Sequence, residues 1–243
     1  MLSSDRRKTG TSPLPVSELL RNARALLNPA RFEPKSSSRR FNIGASDYAA
    51  VTTVPGLVRC LREAAPNATI EIVPIGERVL SQLEAGELDI AFFGADPPSA
   101  PYLSRELFRE RYVGLLCARH PLALKAGQGQ LTLDDYLAYP HVMVSFRDRR
   151  ASPVDAALNI LGRQRRVAVM TPNFASSVTS LVGTDLLMSM PSRLVASASG
   201  LNLVRFALPL AVPDYPYSMI WHRRTDLDPA CIWLRSQVAD GEA

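Results

Sequence analysis

The chain has 243 residues, of which 47% are hydrophobic and 21% are charged. This length and composition are typical of a folded globular protein and exclude disorder as the default state. The net charge of +5 favours anionic partners but does not by itself specify nucleic acid. The three cysteines have no CxxC spacing, and no apolar run is long enough to span a membrane, so we predict no disulfide framework, zinc site or membrane partner.

The beginning of the chain predicts one helix followed by a linker. MLSSDRRKTGTSPLP has no apolar core and does not match a secretory signal, which predicts a cytoplasmic protein. VSELLRNARALL then has apolar residues at helical intervals, which indicates an amphipathic helix. Its apolar face consists of Val16, Leu19, Leu20, Ala23, Leu26 and Leu27. NPARFEPKSSSRR contains two prolines and a serine run, and it is interpreted as a linker.

From Arg40 onward, the sequence alternates between strands and helices. FNIGAS and TIEIVPI predict strands, and the apolar spacing between them predicts a helix with Pro55 in its first turn or at a kink. ERVLSQLEAG predicts a helix that ends at Gly86 in the left-handed conformation. LDIAFFG is almost continuously apolar, as in a parallel strand covered on both faces. This alternation predicts an α/β unit that binds ligands at the carboxyl ends of its strands.

A second group of strands is predicted from YVGLLCA, HVMVS, RRVAVMTP, DLLMSMP and LNLVRFAL, and a last strand from YSMIWH. The clearest helix among them is SPVDAALNILG. Ser152 is its expected N-cap, Pro153 its first residue, Asp155 an acid in the first turn and Gly162 its stop. TLDD predicts a weaker cap of the same type, and DPACIWLRSQV predicts a final helix.

This order of elements resembles the LysR-type transcriptional regulators, in the part that follows their DNA-binding domain. The resemblance extends over nearly the whole chain. It is carried by RRFNIGASDYAAV, LEAGELDIAFFG, LFRERYVGLLCARHPLA, LTLDDYLAYPHVMVS, VTSLVGTDLLMSMPSRLV and YSMIWHRRTDLDPACIWLRSQV. It implies an α/β fold with two lobes, of the periplasmic-binding-protein-like (type 2) kind, preceded by an amphipathic linker helix. A small effector would lie in the cleft, and strands near residues 113–118 and 218–221 would cross between the lobes.

The resemblance also implies a domain organisation. Residues 1–38 would hold the remnant of a wing, the linker helix and the linker. Residues 39–115, completed by 216–243, would form the first lobe, on which the last helix packs, and residues 116–215 would form the second. The linker helix would make the chain a homodimer or homotetramer. Because only fifteen residues precede Val16, we expect a truncated regulator that reaches promoter DNA only through a DNA-binding domain absent here.

Candidate effector-binding residues lie where the predicted strands end. In the first lobe they are Ser46, Asp47, Tyr48, Pro74 and Gly94, and in the second Ser145, Phe146, Arg147, Thr171, Asn173 and Phe174. Ser46 to Tyr48 open a helix, where free N–H groups favour an anion or a hydrogen-bonding ligand, although an ordinary helix cap explains them too. A carboxylate at Asp47 would repel an anionic effector.

The second-lobe candidates also have two interpretations. Arg147 could bind a carboxylate through both prongs of its guanidinium, but its neighbours in RDRR also fit a solvated basic loop. Asn173 and Phe174 combine a polar group with an aromatic wall, as small-molecule pockets do, and Phe174 could equally belong to the core. We therefore expect a small-molecule effector that is a carboxylate or an aromatic compound.

No cofactor or metal is predicted, because the histidines at 120, 141 and 222 lack metal-ligand spacing and are expected to be structural. Two other functions are alternatives to an effector-sensing regulator. A solute-binding protein of the same fold would need an export signal. An enzyme on this scaffold would need a catalytic motif, and the sequence contains no GxSxG, HExxH, P-loop or dinucleotide fingerprint.

Overall fold

The computed structural model describes residues 32–144 and 152–238, which form two α/β lobes, each built on a five-stranded sheet. The predicted amphipathic helix at residues 16–27 lies outside the described residues and stays a prediction. Within the two described ranges, every helix is too short or too polar to cross a membrane.

The elements are numbered along the chain. The strands are β1 (Arg40–Ala45), β2 (Thr69–Pro74), β3 (Ile90–Phe93), β4 (Tyr102–Glu110), β5 (Tyr112–Cys117), β6 (His141–Val144), β7 (Val167–Thr171), β8 (Leu187–Pro191), β9 (Leu203–Phe206) and β10 (Tyr215–His222). The α-helices are α1 (Asp47–Thr52), α2 (Val54–Ala64), α3 (Val79–Ala85), α4 (Ala123–Gly127), α5 (Leu133–Ala138), α6 (Pro153–Ile160), α7 (Phe174–Thr179) and α8 (Pro229–Ser236). A 3-10 helix spans Ser192–Ala198.

The two sheets have the same plan. The first has the strand order β2-β1-β3-β10-β4, in which β1 is parallel to β2 and β3 while β10 is antiparallel to its neighbours. The second has the order β7-β6-β8-β5-β9, in which β6 is parallel to β7 and β8 while β5 is antiparallel to β8 and β9. In both lobes, the parallel strands therefore end at one edge of the sheet, where ligands bind in folds of this kind.

The chain changes lobes at two places that differ from the expected ones. It leaves the first sheet at Arg111, between β4 and β5, and returns between Phe206 and Tyr215. Residues 113–118 and 218–221 were expected to cross, but they lie in β5 and β10 or directly after β5. The reason is their pairing: Val113 in β5 pairs with Met190 of the second sheet, and Ser218 in β10 pairs with Phe93 of the first. The predicted division after residue 115 falls inside β5.

Local sequence signals explain several element ends. The single helix expected after β1 is in fact two helices, separated at Thr53. Pro55 lies in the first turn of α2, where its missing N–H costs nothing. Gly86 ends α3 with a positive φ of 77°, as predicted. Ser152 caps α6, and Thr132 and Asp135 form a complete capping box at α5.

The largest core cluster joins the lobes. It includes Phe41 and Phe92 from the first sheet together with Val142 and Met188 from the second. Helix α8 packs on the first lobe, where the rings of Trp233 and Phe41 lie 6.0 Å apart. The lobes thus share buried apolar surface, which favours cooperative behaviour over two independent domains.

Candidate functional site

The two lobes meet where a short helix follows a parallel strand in each. Helix α1, after β1, lies against α7, which follows β7, and against the 3-10 helix that follows β8. Ser46 caps α1 by accepting from the Ala49 N–H, and Asn173 caps α7 by accepting from the Ser176 N–H at 2.9 Å. This contact between α1, α7 and the 3-10 helix is called the seam below.

Asp47 crosses the seam. Its Oδ2 accepts a hydrogen bond from the backbone N–H of Phe174, the first residue of α7. Burial raises the pKa of Asp47, and the hydrogen bonds from the Phe174, Tyr48 and Asp47 N–H groups oppose that rise. The structure therefore brings two predicted residues, Asp47 and Phe174, into direct contact. Asp47 takes the place that an anionic ligand would take at α7.

The residue after Asp47 bonds within the first lobe, at the point where the chain leaves that lobe. The hydroxyl of Tyr48 donates to Oε2 of Glu110, the last residue of β4, whose exposed fraction is 1%. Glu110 was missed by the sequence analysis because an acid between Arg109 and Arg111 looks like a solvated residue. Its role is visible only once the lobe change at Arg111 is located.

Two tyrosines of β10 lie beside Gly94, just after the end of β3. A Cβ on Gly94 would lie 3.3 Å from the Tyr215 ring and 3.4 Å from the Tyr217 ring, so both rings pack closely on this glycine. The Tyr217 ring lies 4.9 Å from the Tyr48 ring and 5.0 Å from the Phe108 ring. Burial raises the pKa of Tyr215 and of Tyr217, which keeps both phenols neutral. Sequence reasoning identified Gly94 but neither tyrosine.

The remaining predicted residues are placed less centrally. The Thr171 hydroxyl donates to the carbonyl of Asn173 at 2.9 Å and also contacts Ser177, so it organises the β7–α7 turn. Pro74 pairs with Ala45 at the ends of β2 and β1, and it is exposed. Ser145, Phe146 and Arg147 lie outside the described residues, and their role stays a prediction.

The histidines make local contacts. His120 Nε2 lies 3.1 Å from the Asp185 carbonyl, and His141 Nε2 lies 2.9 Å from the Tyr136 carbonyl. Burial lowers the pKa of His120, and burial with the nearby Arg165 charge lowers the pKa of His141 to about 4. In residues 32–144 and 152–238, no group of three or more His, Cys, Asp and Glu side chains is arranged to hold a metal ion.

Two open cavities among the described residues lie away from the seam. One of about 370 Å³ lies between the start of β1 and α8, and it includes Phe32, Arg39 and Asp228 in its lining. One of about 190 Å³ lies beside α6 and includes Asp155 and Arg165. At the seam, by contrast, Asp47, Tyr48 and Phe174 bond within the protein, so the lobes are closed on each other there.

Comparison with known proteins agrees with this architecture. Residues 34–243 match the family described as the LysR substrate binding domain. The chain is 30% identical over 223 residues to the HTH-type transcriptional activator NahR from Pseudomonas putida, an alignment that covers 91% of this chain and 72% of NahR.

Solved structures of transcriptional regulators share this fold. The regulatory domain of MexT, a transcriptional activator in Pseudomonas aeruginosa, matches with a TM-score of 0.71 and 31% identity, over 84% of this chain and 98% of that one. The effector binding domain of QuiR matches with a TM-score of 0.67 over 82% of this chain and 94% of that one, and its 15% identity shows a shared fold.

These findings confirm the predicted two-lobed α/β fold and the resemblance on which it rested. Both alternatives lose support, because the relatives are transcriptional regulators, not enzymes or transport proteins. The chain therefore belongs to the LysR-type transcriptional regulators, and residues 34–243 are its effector-binding domain.

Proposed function

We propose that this chain senses a small carboxylate or aromatic molecule at the seam, and that binding changes the arrangement of the lobes to control transcription by the full-length regulator. The observation that carries the proposal is the contact of Asp47 with the Phe174 N–H. It joins two strand-end segments, one from each lobe, at the edge of the sheets where ligands bind in this fold class. The effector domain of QuiR, which has the same fold, is known in complex with shikimate.

The closed seam suggests how such a sensor works. The Phe174 N–H is bonded to Asp47 when the lobes are together, and an effector carboxylate could accept from it instead when they separate. The neutral, partly exposed ring of Tyr215 offers an aromatic contact close by, whereas Tyr217 is buried. A ligand shifts the lobes only if it binds one arrangement more tightly than the other. Competition between the effector and Asp47 for the Phe174 N–H supplies that difference in affinity.

A thermal-shift screen tests the proposal directly. The panel contains small aromatic and aliphatic carboxylates, amino acids and phenols. A ligand at 100 times its dissociation constant stabilises the protein by about 2.7 kcal/mol, which is several degrees for a chain of this size. A saturable shift supports the sensor and names the effector class. A cooperative melt that no compound shifts contradicts it.

Arg147 provides the matched variant. If its guanidinium binds an effector carboxylate, Arg147→Ala weakens binding of the compound identified above by roughly 1.5–3 kcal/mol. Arg163→Ala is the control, since Arg163 is a half-exposed arginine of the same lobe that pairs with Asp134. Equal affinities of the two variants would assign Arg147 to a solvated loop.

Assembly and location complete the proposal. The apolar face of the predicted helix at residues 16–27 would pair two chains into a homodimer, or four into a homotetramer, in the cytoplasm. Promoter DNA would be bound through the regulator's DNA-binding domain. Light scattering at micromolar concentration is the test. A strict monomer would contradict the role of the helix, whereas Leu20→Asp should convert an observed dimer to a monomer.

A further inference from the structure

The lobe change at Arg111 contains a buried carboxylate that is bonded from three directions. Glu110 Oε1 accepts from the Arg111 N–H at 2.8 Å, from the Ser192 N–H at 3.1 Å and from the Ser192 hydroxyl at 2.7 Å. Its Oε2 accepts from the Arg193 N–H at 3.4 Å and from the hydroxyl of Tyr48. These five donors come from the lobe change itself, from the second lobe and from the first lobe.

The energetics explain why this arrangement is specific. A carboxylate that is almost completely buried is strongly penalised unless hydrogen bonds replace its lost water. Here the donors are two hydroxyls and three backbone N–H groups, whose positions depend on where α1, Arg111 and the start of the 3-10 helix lie. Moving one lobe relative to the other therefore removes donors from a buried charge.

We propose that Glu110, at the end of β4 in the first lobe, is a positioning residue that fixes the two lobes relative to each other: it accepts from Ser192 and Arg193 of the second lobe, and Tyr48 of α1 holds its carboxylate in place. Tyr48 is the single first-lobe side chain among the donors described above. It directly follows Asp47, whose own bond crosses to Phe174. Any event that displaces the first turn of α1 thus acts on both connections at once. The link to effector binding rests on the proposed function, whereas the link between the lobes does not.

The test measures the distance between the two lobes in the absence of an effector. Spin labels are placed on Glu63→Cys in α2 and Leu124→Cys in α4, both exposed and in different lobes, with Cys60→Ser to prevent stray labelling. Labelled full chain is diluted with unlabelled chain, so that electron–electron distances report single molecules. The chain with Glu110 intact should give one narrow distance maximum.

Glu110→Gln is the informative variant, because an amide has one acceptor oxygen in place of two and so loses the bonds from either Ser192 or Arg193, while the side chain keeps its volume. We expect a second distance maximum, with a roughly ten-fold shift in the ratio of the two lobe arrangements for loss of a hydrogen bond to a charged group. Ser192→Ala, which leaves two backbone N–H bonds from the second lobe, should keep the single maximum.

Tyr136→Phe is the control. It removes a side-chain hydrogen bond that lies within one lobe, between Tyr136 and Ser189 of the second lobe at 2.7 Å. An unchanged distribution in Glu110→Gln overturns the proposal. So does equal broadening in Glu110→Gln and Tyr136→Phe, since it would reflect general loosening. Because no effector is used, these outcomes are independent of whether the thermal-shift screen finds a ligand.

Discussion

Arg39 in the first lobe and Arg165 in the second each tie separate elements together, and the two arginines differ in burial. In the first lobe, Arg39 bonds Asp89, next to β3, at 3.2 Å and Asp228, at the start of α8, at 2.9 Å, with 32% of its side chain exposed. In the second lobe, Arg165 bonds Asp155 of α6 at 2.7 Å and 3.0 Å, with 2% of its side chain exposed.

This difference in burial indicates which ion pair is more costly to break. The Arg39 side chain is 32% exposed and that of Arg165 only 2%, so the Arg165 guanidinium depends more on its carboxylate partner, although Asp155 itself is 28% exposed. The same contrast does not mean that the buried pair stabilises the fold more than apolar residues would. Four predictions sharpen the comparison.

Asp155→Ala should have the largest effect. It leaves the almost fully buried Arg165 guanidinium without its carboxylate, which costs roughly 2–3 kcal/mol of unfolding free energy because Asp155 itself is partly exposed. Urea unfolding followed by far-ultraviolet circular dichroism measures the loss. The double variant Asp155→Leu with Arg165→Met removes both charges and should be markedly more stable than the single one. A loss below about 1 kcal/mol in Asp155→Ala would place Arg165 with the exposed arginines.

His141, which lies near Arg165, should make the second lobe sensitive to acid. Its pKa is about 4 in the folded chain, below the ordinary value of 6.5, so the unfolded chain binds more protons between these values and stability falls as the pH falls. Between pH 7 and pH 5 the loss should be about 2 kcal/mol. His141→Gln, whose amide can donate to the Tyr136 carbonyl, should lower stability at pH 7 but lack this slope. A variant with the parental slope would exclude His141 as the cause.

Asp228→Ala should cost less, about 1–2 kcal/mol, because it removes both the half-exposed bond to Arg39 and the cap of α8. The cap is a bond from the Ala230 N–H at 2.8 Å. Asp228→Asn keeps an oxygen for the cap and loses the charge, so its unfolding free energy should lie between those of the parent and Asp228→Ala. Equal losses in both variants would assign the whole effect to the charge.

The pair between Arg40 and Glu71, whose side chains are 66% and 49% exposed, sets the lower end of the scale. A double-mutant cycle with alanine should give a coupling of less than about 1 kcal/mol, and high salt should reduce it. A coupling as large as that of Arg165 with Asp155 would mean that burial does not control the strength of these pairs.

The sequence predicted elements whose signals are local. Ser152, Gly86 and the apolar strand around Phe92 each act through their own neighbours, and the structure confirms them. Strand β4 was not predicted, since an edge strand with alternating arginine and glutamate lacks an apolar run and gains its bonds from β10.

The candidate site was predicted in part for the same reason. Asp47 and Phe174 follow strands, so the strand-end rule finds them. Glu110, Tyr215 and Tyr217 matter only because β4 and β10 bring them beside α1, and no local pattern marks such a meeting. The ends of single elements are therefore predictable, and contacts between distant segments are not.

The position of α8 on the first lobe has a spectroscopic consequence. The chain has two tryptophans: Trp233 lies on α8 beside Phe41, and Trp221 lies in β10 and donates to Asp226. Both indoles therefore belong to the first lobe, and intrinsic fluorescence reports on that lobe, while circular dichroism averages over both. Because the shared core joins the lobes, the two signals should change at the same urea concentration. Tryptophan fluorescence would then also report destabilising substitutions in the second lobe, although both tryptophans lie in the first.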